Sequence, residues 1–209
     1  MKPLEHEYKV MGLAPYASKI HGEKTAAILN GLIRVNDDLS FTSRIRTNVS
    51  YYWFRNKLQQ QRFDNVAYAI QKFTEDLAIE WVKKAIKKTG IQNVVLGGGL
   101  FMNVKLNKLI LELPEVKKLF VGPSCSDESL MIGAAMVEYA NVKRPEPVSD
   151  IYYGNNFDDD YVKKFLSYGG VLSKYKVSQF NDVNGTVAEL ISKNKVVARC
   201  ANRMEFGAR

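Results

Sequence analysis

The sequence contains few of the residues that usually cross-link a small secreted domain or bind a metal. Its 209 residues include only two cysteines and two histidines. Cys125 and Cys200 stand alone, which argues against a disulfide framework or a cysteine metal cluster and favours a reducing cytoplasm. His6 and His21 lack the four-residue helical spacing of a ligand pair, so we expect both at the surface.

Long apolar runs are also missing. No stretch of about 18 apolar residues is present, so neither a membrane span nor a membrane partner is expected. The first seven residues are polar and charged and lack the apolar core of a signal peptide. The apolar and charged fractions are those of an ordinary globular protein, and the length allows one large domain or one and a part.

The chain carries a formal net charge of +8. Many of its lysines come as adjacent pairs, which are typical of solvated helix faces: Lys83-Lys84, Lys87-Lys88, Lys117-Lys118 and Lys163-Lys164. The basic balance alone therefore does not argue for nucleic acid, which is not expected as a partner.

Residues 94–103 (VVLGGGLFMN) are the stretch around which the chain is organised. An apolar strand that runs into three glycines and then into a helix leaves backbone N–H groups free to hold a phosphate or a nucleotide. The motif is neither a Walker A loop nor a G-x-G-x-x-G fingerprint. A tight turn whose glycines only permit positive φ is an equal alternative on these residues alone.

The pattern around the glycines predicts alternating helices and strands. We expect a helix over 64–89 capped by Asp64, a strand over 93–96, a helix over 100–112, a strand over 118–121 and a helix over 127–140. The strands are apolar after their first residues and the connections are long, which favours a parallel α/β layer. Loops after both strands would then share the ligand-binding edge. The predicted buried face of the first helix is Val66, Ile70, Phe73, Leu77, Trp81 and Ala85.

The flanking segments are less regular. Residues 5–18 are expected to be a loop that leads into a helix, 24–33 a short helix and 33–41 a hairpin with its turn at 36–38. Residues 43–62 mix arginines with aromatics, which suits either stacking on bases or, as we favour, an amphipathic helix with buried aromatics.

The composition changes at 141–160, where prolines, asparagines and an acidic run indicate a linker. Beyond it we expect helices near 158–168 and 182–193 and strands near 174–180 and 196–200. About 50 residues bury little core, so this part resembles the start of a second domain.

Two further sites rest on single residues. Asp127 follows a strand and opens a helix, which suits helix capping or one ligand of a divalent metal, although one carboxylate does not make a metal site. Arg203 and Arg209 flank a glycine and suit an anion, with a solvated loop as the favoured alternative.

Four motifs in order resemble the O-carbamoyltransferases that modify nodulation factors and antibiotics. Residues 7–16 (EYKVMGLAPY) resemble that family's E-x-K-x-M-G-L-A-P-Y-G, and residues 96–103 (LGGGLFMN) its G-G-V-A-L-N turn. Residues 123–135 are similar to its P-x-x-x-D-x-G-x-x-x-G-A-A, and residues 203–209 (RMEFGAR) to its R-M-E-F-G-P-R.

The resemblance implies an N-terminal domain with the actin/Hsp70-like (ribonuclease H-like) ATPase fold, close to the tRNA threonylcarbamoyl-transfer proteins. It also implies an α+β C-terminal domain that makes carbamoyl-adenylate from carbamoyl phosphate and ATP. The first domain would hold this intermediate beside a divalent metal (iron, zinc or magnesium) and pass the carbamoyl group to a hydroxyl of a small-molecule acceptor.

Carried over by motif, the resemblance places Gly97, Gly98, Gly99 and Asn103 in the adenylate pocket and the loop from Lys9 to Gly12 near the nucleotide. Asp127 would be the acidic metal ligand, and Arg203 and Arg209 would begin the carbamoyl phosphate site.

Departures from the family pattern are informative. Ala17 and Ser129 replace glycines, Ala208 replaces a proline, and the family's H-x-x-x-H metal pair is absent from these residues. We therefore expect a piece of the enzyme, inactive alone: 1–142 as the second half of the catalytic domain, 143–160 as a linker and 161–209 as the truncated start of the adenylate-forming domain. The alternatives are a tRNA-binding or tRNA-modifying module and a non-catalytic scaffold of the same fold. Apolar surface exposed by the missing half would favour self-association, for example as a homodimer.

Overall fold

A computed structural model describes residues 6–122, 124–148, 150–168 and 170–206. The chain divides into two compact units, residues 1–135 and 136–209. The first contains both of the short sheets found among the described residues, and the mixture of helices and strands agrees with an α/β class. None of the helices in the described ranges is long and apolar enough to cross a bilayer.

The first unit begins with two helices, α1 (Glu7–Leu13) and α2 (Lys19–Ala27), joined by a 3-10 turn at Ala14–Tyr16. The loop expected over 5–18 is therefore wrong, and so is the start expected for the next helix. Gly12 lies near the end of α1, and Pro15 lies in the first turn of the 3-10 segment. A proline costs no hydrogen bond in a first turn, so neither residue prevents helix formation.

A hairpin follows, with β1 (Ile33–Val35) antiparallel to β2 (Phe41–Ser43). The Asn36 N–H donates to the Ser40 carbonyl at 2.8 Å, and Leu39 adopts a φ of +76° in the turn. The predicted hairpin is confirmed. Helix α3 (Thr47–Leu58) comes next, with Trp53 and Phe54 partly buried against the core but Tyr51 and Tyr52 exposed.

Helix α4 (Phe63–Thr89) is the central element of this unit. It ends at Gly90, whose φ of +71° is the left-handed conformation that terminates helices. The predicted N-cap is wrong, because Asp64 lies inside the first turn, where it pairs with Arg62 at 2.9 Å.

The most buried stripe of α4 differs from the predicted face by one position. It comprises Ala67, Gln71, Glu75, Ala78, Val82 and Ile86, whereas Ile70 is 40% exposed. The reason is that α4 packs on two sides. Its first half meets α2, β1 and α3 in one hydrophobic cluster, and its second half lies in another around β3 and α5.

The second cluster contains β3 (Asn93–Leu96), α5 (Val104–Leu111) and β4 (Lys118–Val121). β3 and β4 pair in parallel, with Asn93 opposite Lys118 and Leu96 opposite Val121, as predicted. Leu106 and Ile110 are fully buried between the sheet and α4. Helix α6 (Leu130–Ala140) follows a short 3-10 turn at Asp127–Ser129.

The second unit contains α7 (Asp159–Tyr168), α8 (Val171–Lys174) and α9 (Val183–Ser192). The strands predicted near 174–180 and 196–200 are wrong: these segments are irregular, and Val196 is fully exposed. A strand requires a neighbour for its backbone groups, and the described part of this unit pairs neither segment. No residue described in this unit is buried.

Candidate functional site

The candidate site lies where the parallel strands β3 and β4 end. The Gly122 N–H donates to the Leu96 carbonyl at 3.0 Å, so the two strand ends are held side by side. The glycine turn, residues 97–99, follows one strand at this edge, and the loop that contains residues 124–126 follows the other. The carboxyl edge of a parallel sheet is the usual place for a ligand.

The glycine turn is open. Gly98 has a φ of +99°, and a Cβ at Gly97, Gly98 or Gly99 would meet no atom within 4 Å. Packing within the described chain therefore does not explain three consecutive glycines. Among the described residues, the N–H groups of 97–100 donate to no backbone carbonyl. The turn thus presents exposed backbone donors beside empty space, as an anion-binding turn requires.

Asn103 joins the turn to α5. Its side-chain oxygen accepts the Leu106 N–H at 3.1 Å and so caps the helix. Its amide also pairs with Gln71 of α4, which in turn contacts Glu75. Sequence reasoning missed Gln71 and Glu75. The available signal was two polar residues four positions apart, in line with apolar positions of α4.

The loop after β4 is shaped by a buried thiol. Ser124 and Cys125 both have positive φ, and the Cys125 thiol lies 2.9 Å from the Gly122 carbonyl. Burial raises the pKa of this thiol above its ordinary value. Ser124 donates to the Glu128 carboxylate, which lowers the pKa of Glu128. Cys125 is therefore a packing residue and not an activated nucleophile.

Asp127 starts the 3-10 turn and is exposed. Asp127 does not occupy the cap position of this 3-10 turn. Ser126 does, and its side chain makes no capping hydrogen bond. No group of three or more histidine, cysteine or acidic residues among the described residues could hold a metal. A metal site is thus not formed by the residues described, although Asp127 lies at the correct edge of the sheet for one ligand.

Lys9 and Gly12 lie on α1 and not on a loop, and both are exposed. The Lys9 ammonium lies 5.6 Å from the ring centre of Tyr8. Helix α1 packs on α4, and Asn103 pairs with α4. The two predicted parts of the nucleotide site therefore share α4 as their support.

Arg203 lies in the second unit, where its guanidinium donates to the carbonyls of Gly154 and Tyr153 at 3.0 and 3.3 Å. The Gly154 N–H donates in return to the Met204 carbonyl at 2.9 Å. A tie between two loop segments is its visible role. Arg209, the second predicted anion ligand, lies outside the described residues.

A separate groove of about 440 Å³ lies between α2 and α4. Its carboxylates are already paired: Glu23 with the Tyr68 hydroxyl, Asp76 with Lys72 and Glu80 with Lys84. The pairing with Glu23 raises the pKa of Tyr68. The groove does not include the glycine turn, and we assign it no ligand.

Comparison with known proteins identifies the family. Residues 2–136 match the carbamoyltransferase N-terminus family, and the chain belongs to it. The family resemblance drawn from the four motifs is therefore confirmed.

Three relatives agree with this assignment. The chain is 26% identical to the nodulation protein NolO of Bradyrhizobium diazoefficiens, over 97% of the chain and 38% of NolO. It is 26% identical to the nodulation protein NolNO of Sinorhizobium fredii, over 97% of the chain and 31% of that protein. It is 33% identical to a tRNA N6-adenosine threonylcarbamoyltransferase of Kosmotoga olearia, over 52% of the chain and 33% of that protein. The chain thus spans about a third of the length of these relatives.

Proposed function

We propose that this chain supplies the adenylate-holding edge of an ATP-dependent O-carbamoyltransferase. The carbamoyl group would come from carbamoyl phosphate, pass through carbamoyl-adenylate and reach a hydroxyl of a small-molecule acceptor. The first unit would belong to a domain with an actin/Hsp70-like fold. The observation that carries the proposal is the open glycine turn at the end of β3, whose exposed residues have room at each Cβ position and whose N–H groups donate to no backbone carbonyl of the described chain.

The chemistry required of the turn is electrostatic. When the acceptor hydroxyl attacks the carbamoyl carbon, the bond from that carbon to the phosphate oxygen of AMP breaks. AMP then leaves with a negatively charged phosphate, and the hydroxyl proton passes to water. The N–H groups of residues 97–100 would hold that phosphate and stabilise its charge without rearrangement. Because glycines carry no side chain, the phosphate can approach the backbone closely.

The test is made in the complete gene product. We expect conversion of ATP to AMP that depends on carbamoyl phosphate, together with binding of a non-hydrolysable ATP analogue. Gly97→Ala and Gly99→Ala should each weaken nucleotide binding by about tenfold, which corresponds to about 1.4 kcal/mol. Their thermal midpoints should stay unchanged, because the added methyl meets no protein atom.

Gly133→Ala in α6 is the matched control, since its Cβ also meets no atom within 4 Å. It should bind nucleotide like the wild type. Equal nucleotide binding by all three alanine variants would contradict a role of the turn in holding a phosphate.

A second candidate function, RNA binding, has a specific observation in its favour. Residues 39–63 contain no acidic residue. Among the described residues, no carboxylate lies within ion-pair distance of Arg46, Arg55 or Lys57. Tyr51 and Tyr52 are 66% and 68% exposed, and helical spacing places them on one face of α3 with Arg55. Such a face suits stacked bases and phosphates, and one relative is named for its action on tRNA.

Titration of labelled single-stranded RNA by fluorescence anisotropy decides this second candidate. If α3 binds RNA, affinity should fall steeply with salt and should drop in Tyr51→Ala and Arg55→Gln. Lys163→Gln, which removes a charge from α7, should have no effect. Salt-insensitive binding, or no binding in low salt, would rule the RNA surface out.

A further inference from the structure

A buried polar cluster lies behind the glycine turn and connects it to α4. Gln71 is 5% exposed and Glu75 is 9% exposed, although both are polar. The Gln71 amide nitrogen donates to Glu75 at 2.7 Å and to the Asn103 side-chain oxygen at 3.2 Å. The Asn103 amide nitrogen donates back to the Gln71 side-chain oxygen at 2.9 Å. Two amides 32 positions apart in the chain therefore form a reciprocal pair.

The chemistry of the neighbours sets the orientation of both amides. The Leu106 N–H can only donate, so the Asn103 oxygen must face it and the Asn103 nitrogen must face Gln71. The Glu75 carboxylate, which is paired with the Lys105 ammonium, accepts from Gln71, so the Gln71 nitrogen faces it. Neither amide can flip without losing a buried hydrogen bond, which makes the cluster rigid.

Glu75 also connects α4 to α5 directly. The Lys105 ammonium lies 2.8 Å from the Glu75 carboxylate, whose side chain is 12% exposed. Lys105 and Asn103 flank the start of α5, so α4 contacts the junction between the turn and that helix through two side chains. A Cβ at any glycine of the turn would meet no atom within 4 Å, so side-chain packing at the glycines themselves does not fix the shape of the turn.

We propose that Gln71 and Glu75 are positioning residues, which hold the glycine turn in its open shape through Asn103 before any ligand binds. This inference rests on the proposed function of the turn, and it assigns the residues that preorganise it. A turn whose shape is already set loses less conformational entropy when it binds a phosphate. Gln71 and Glu75 act only through Asn103 and Lys105 and do not contact the ligand.

The principal variants are Gln71→Met, which has a similar length but no hydrogen bonds, and Asn103→Ser. Serine caps helices as well as asparagine does but is too short to reach Gln71. In the complete gene product, Gln71→Met should raise the KM for ATP by about tenfold, as expected for loss of a buried hydrogen bond to a charged network. The kcat should change by less than about twofold, because the reacting groups are untouched.

Hydrogen exchange measured by mass spectrometry gives a readout that needs no nucleotide. Gln71→Met should speed amide exchange in peptides that cover residues 97–106 and leave the hairpin at 33–43 unchanged. Thr89→Val is the matched control on α4, because it removes a hydroxyl that donates to the Ala85 carbonyl at 2.8 Å, at the C-terminal end of the helix and far from Gln71 in the chain. It should change neither exchange in the turn nor the KM.

The decisive comparison is between the effect of Gln71→Met on the KM in the wild type and its effect in the Asn103→Ser protein. If Gln71 acts through Asn103, Gln71→Met should raise the KM in the wild type but add nothing in the Asn103→Ser protein. A purely structural role would lower the active fraction, and hence the apparent kcat, equally in both backgrounds.

Unchanged exchange at 97–106 in Gln71→Met, or an equal additional KM increase in both backgrounds, would overturn the positioning role. A wild type that binds no adenine nucleotide would instead overturn the proposed function. In that case the exchange measurement still decides whether Gln71 holds the turn.

Discussion

At the scale of single residues, the two cysteines show how environment separates identical side chains. Cys125 is buried in the loop after β4, while Cys200 is exposed in the second unit. Burial raises the pKa of the Cys125 thiol, which keeps it protonated at neutral pH. Neither the difference in burial nor the raised pKa can be read from the sequence, because both cysteines stand alone in it.

We therefore predict that a thiol reagent such as DTNB will modify Cys200 quickly and Cys125 only after denaturation. The reason is that the thiolate reacts and the thiol does not. The measurement is stoichiometry against time, with Cys200→Ser as the control that should lose the fast phase. Rapid modification of the Cys200→Ser protein would show that the loop around Cys125 opens readily.

Asp127 is a second residue whose role the surroundings decide. It is exposed and does not cap a helix through its side chain, and no metal-binding group of three is present in the described ranges. If it is a metal ligand in the complete gene product, Asp127→Asn should reduce bound metal without changing the thermal midpoint. Metal content is measured by inductively coupled plasma mass spectrometry.

Asp159→Asn, which alters an exposed acid in the first turn of α7, is the control for non-specific charge effects. It should retain the wild-type metal content. Equal metal content in Asp127→Asn and in the wild type would remove Asp127 from the ligand set.

At the scale of elements, the buried face of α5 fixes the position of this helix, which follows the glycine turn. Leu106 and Ile110 are fully buried, whereas Leu111 at the end of the same helix is 55% exposed. Asn103 fixes the start of this helix, and its apolar face holds it against α4 and the sheet. The glycine turn is thus held by the packing of α5, which follows it, and by the hydrogen bonds of Asn103.

We predict that Leu106→Ala lowers the free energy of unfolding by about 2–5 kcal/mol, since it leaves a cavity in a packed core. Leu111→Ala should cost much less, because most of that side chain remains in water. Urea denaturation followed by circular dichroism measures both variants. Similar midpoints for the two would mean that α5 is not packed as described.

The elements of the first unit also show which patterns are reliable. Both parallel strands, the hairpin and the long helix form where the sequence predicts them. Helix α1 was missed because glycine and proline suggested a loop, although their positions near helix ends cost little. The strands predicted near 174–180 and 196–200 were wrong because apolar residues alone supply no pairing partner.

At the scale of the whole molecule, helix α6 differs from an ordinary protein surface because it is both apolar and exposed. Its sequence is almost wholly apolar, yet Leu130, Met131 and Val137 are each about 70% exposed. Exposed apolar side chains favour association.

We predict that the 209-residue chain self-associates in a concentration-dependent way, and that Met131→Lys combined with Val137→Lys reduces the association. Sedimentation velocity over a range of concentrations is the measurement. Leu172→Lys, at an exposed apolar position of α8, serves as the control and should not change the association. A chain that stays monomeric at all concentrations would contradict this prediction.

The sequence by itself determined the order of helices and strands in the first unit from α2 onward, the parallel pairing, the position of the glycine turn and the family. Each of these depends on residues close together in the chain or on short motifs. Only the tertiary structure decided which stripe of α4 is buried, that the glycines face open space, and that Gln71 pairs with Asn103. These features depend on contacts between residues far apart in the chain, and helical periodicity specifies a face only to within about one residue when a helix packs on two sides.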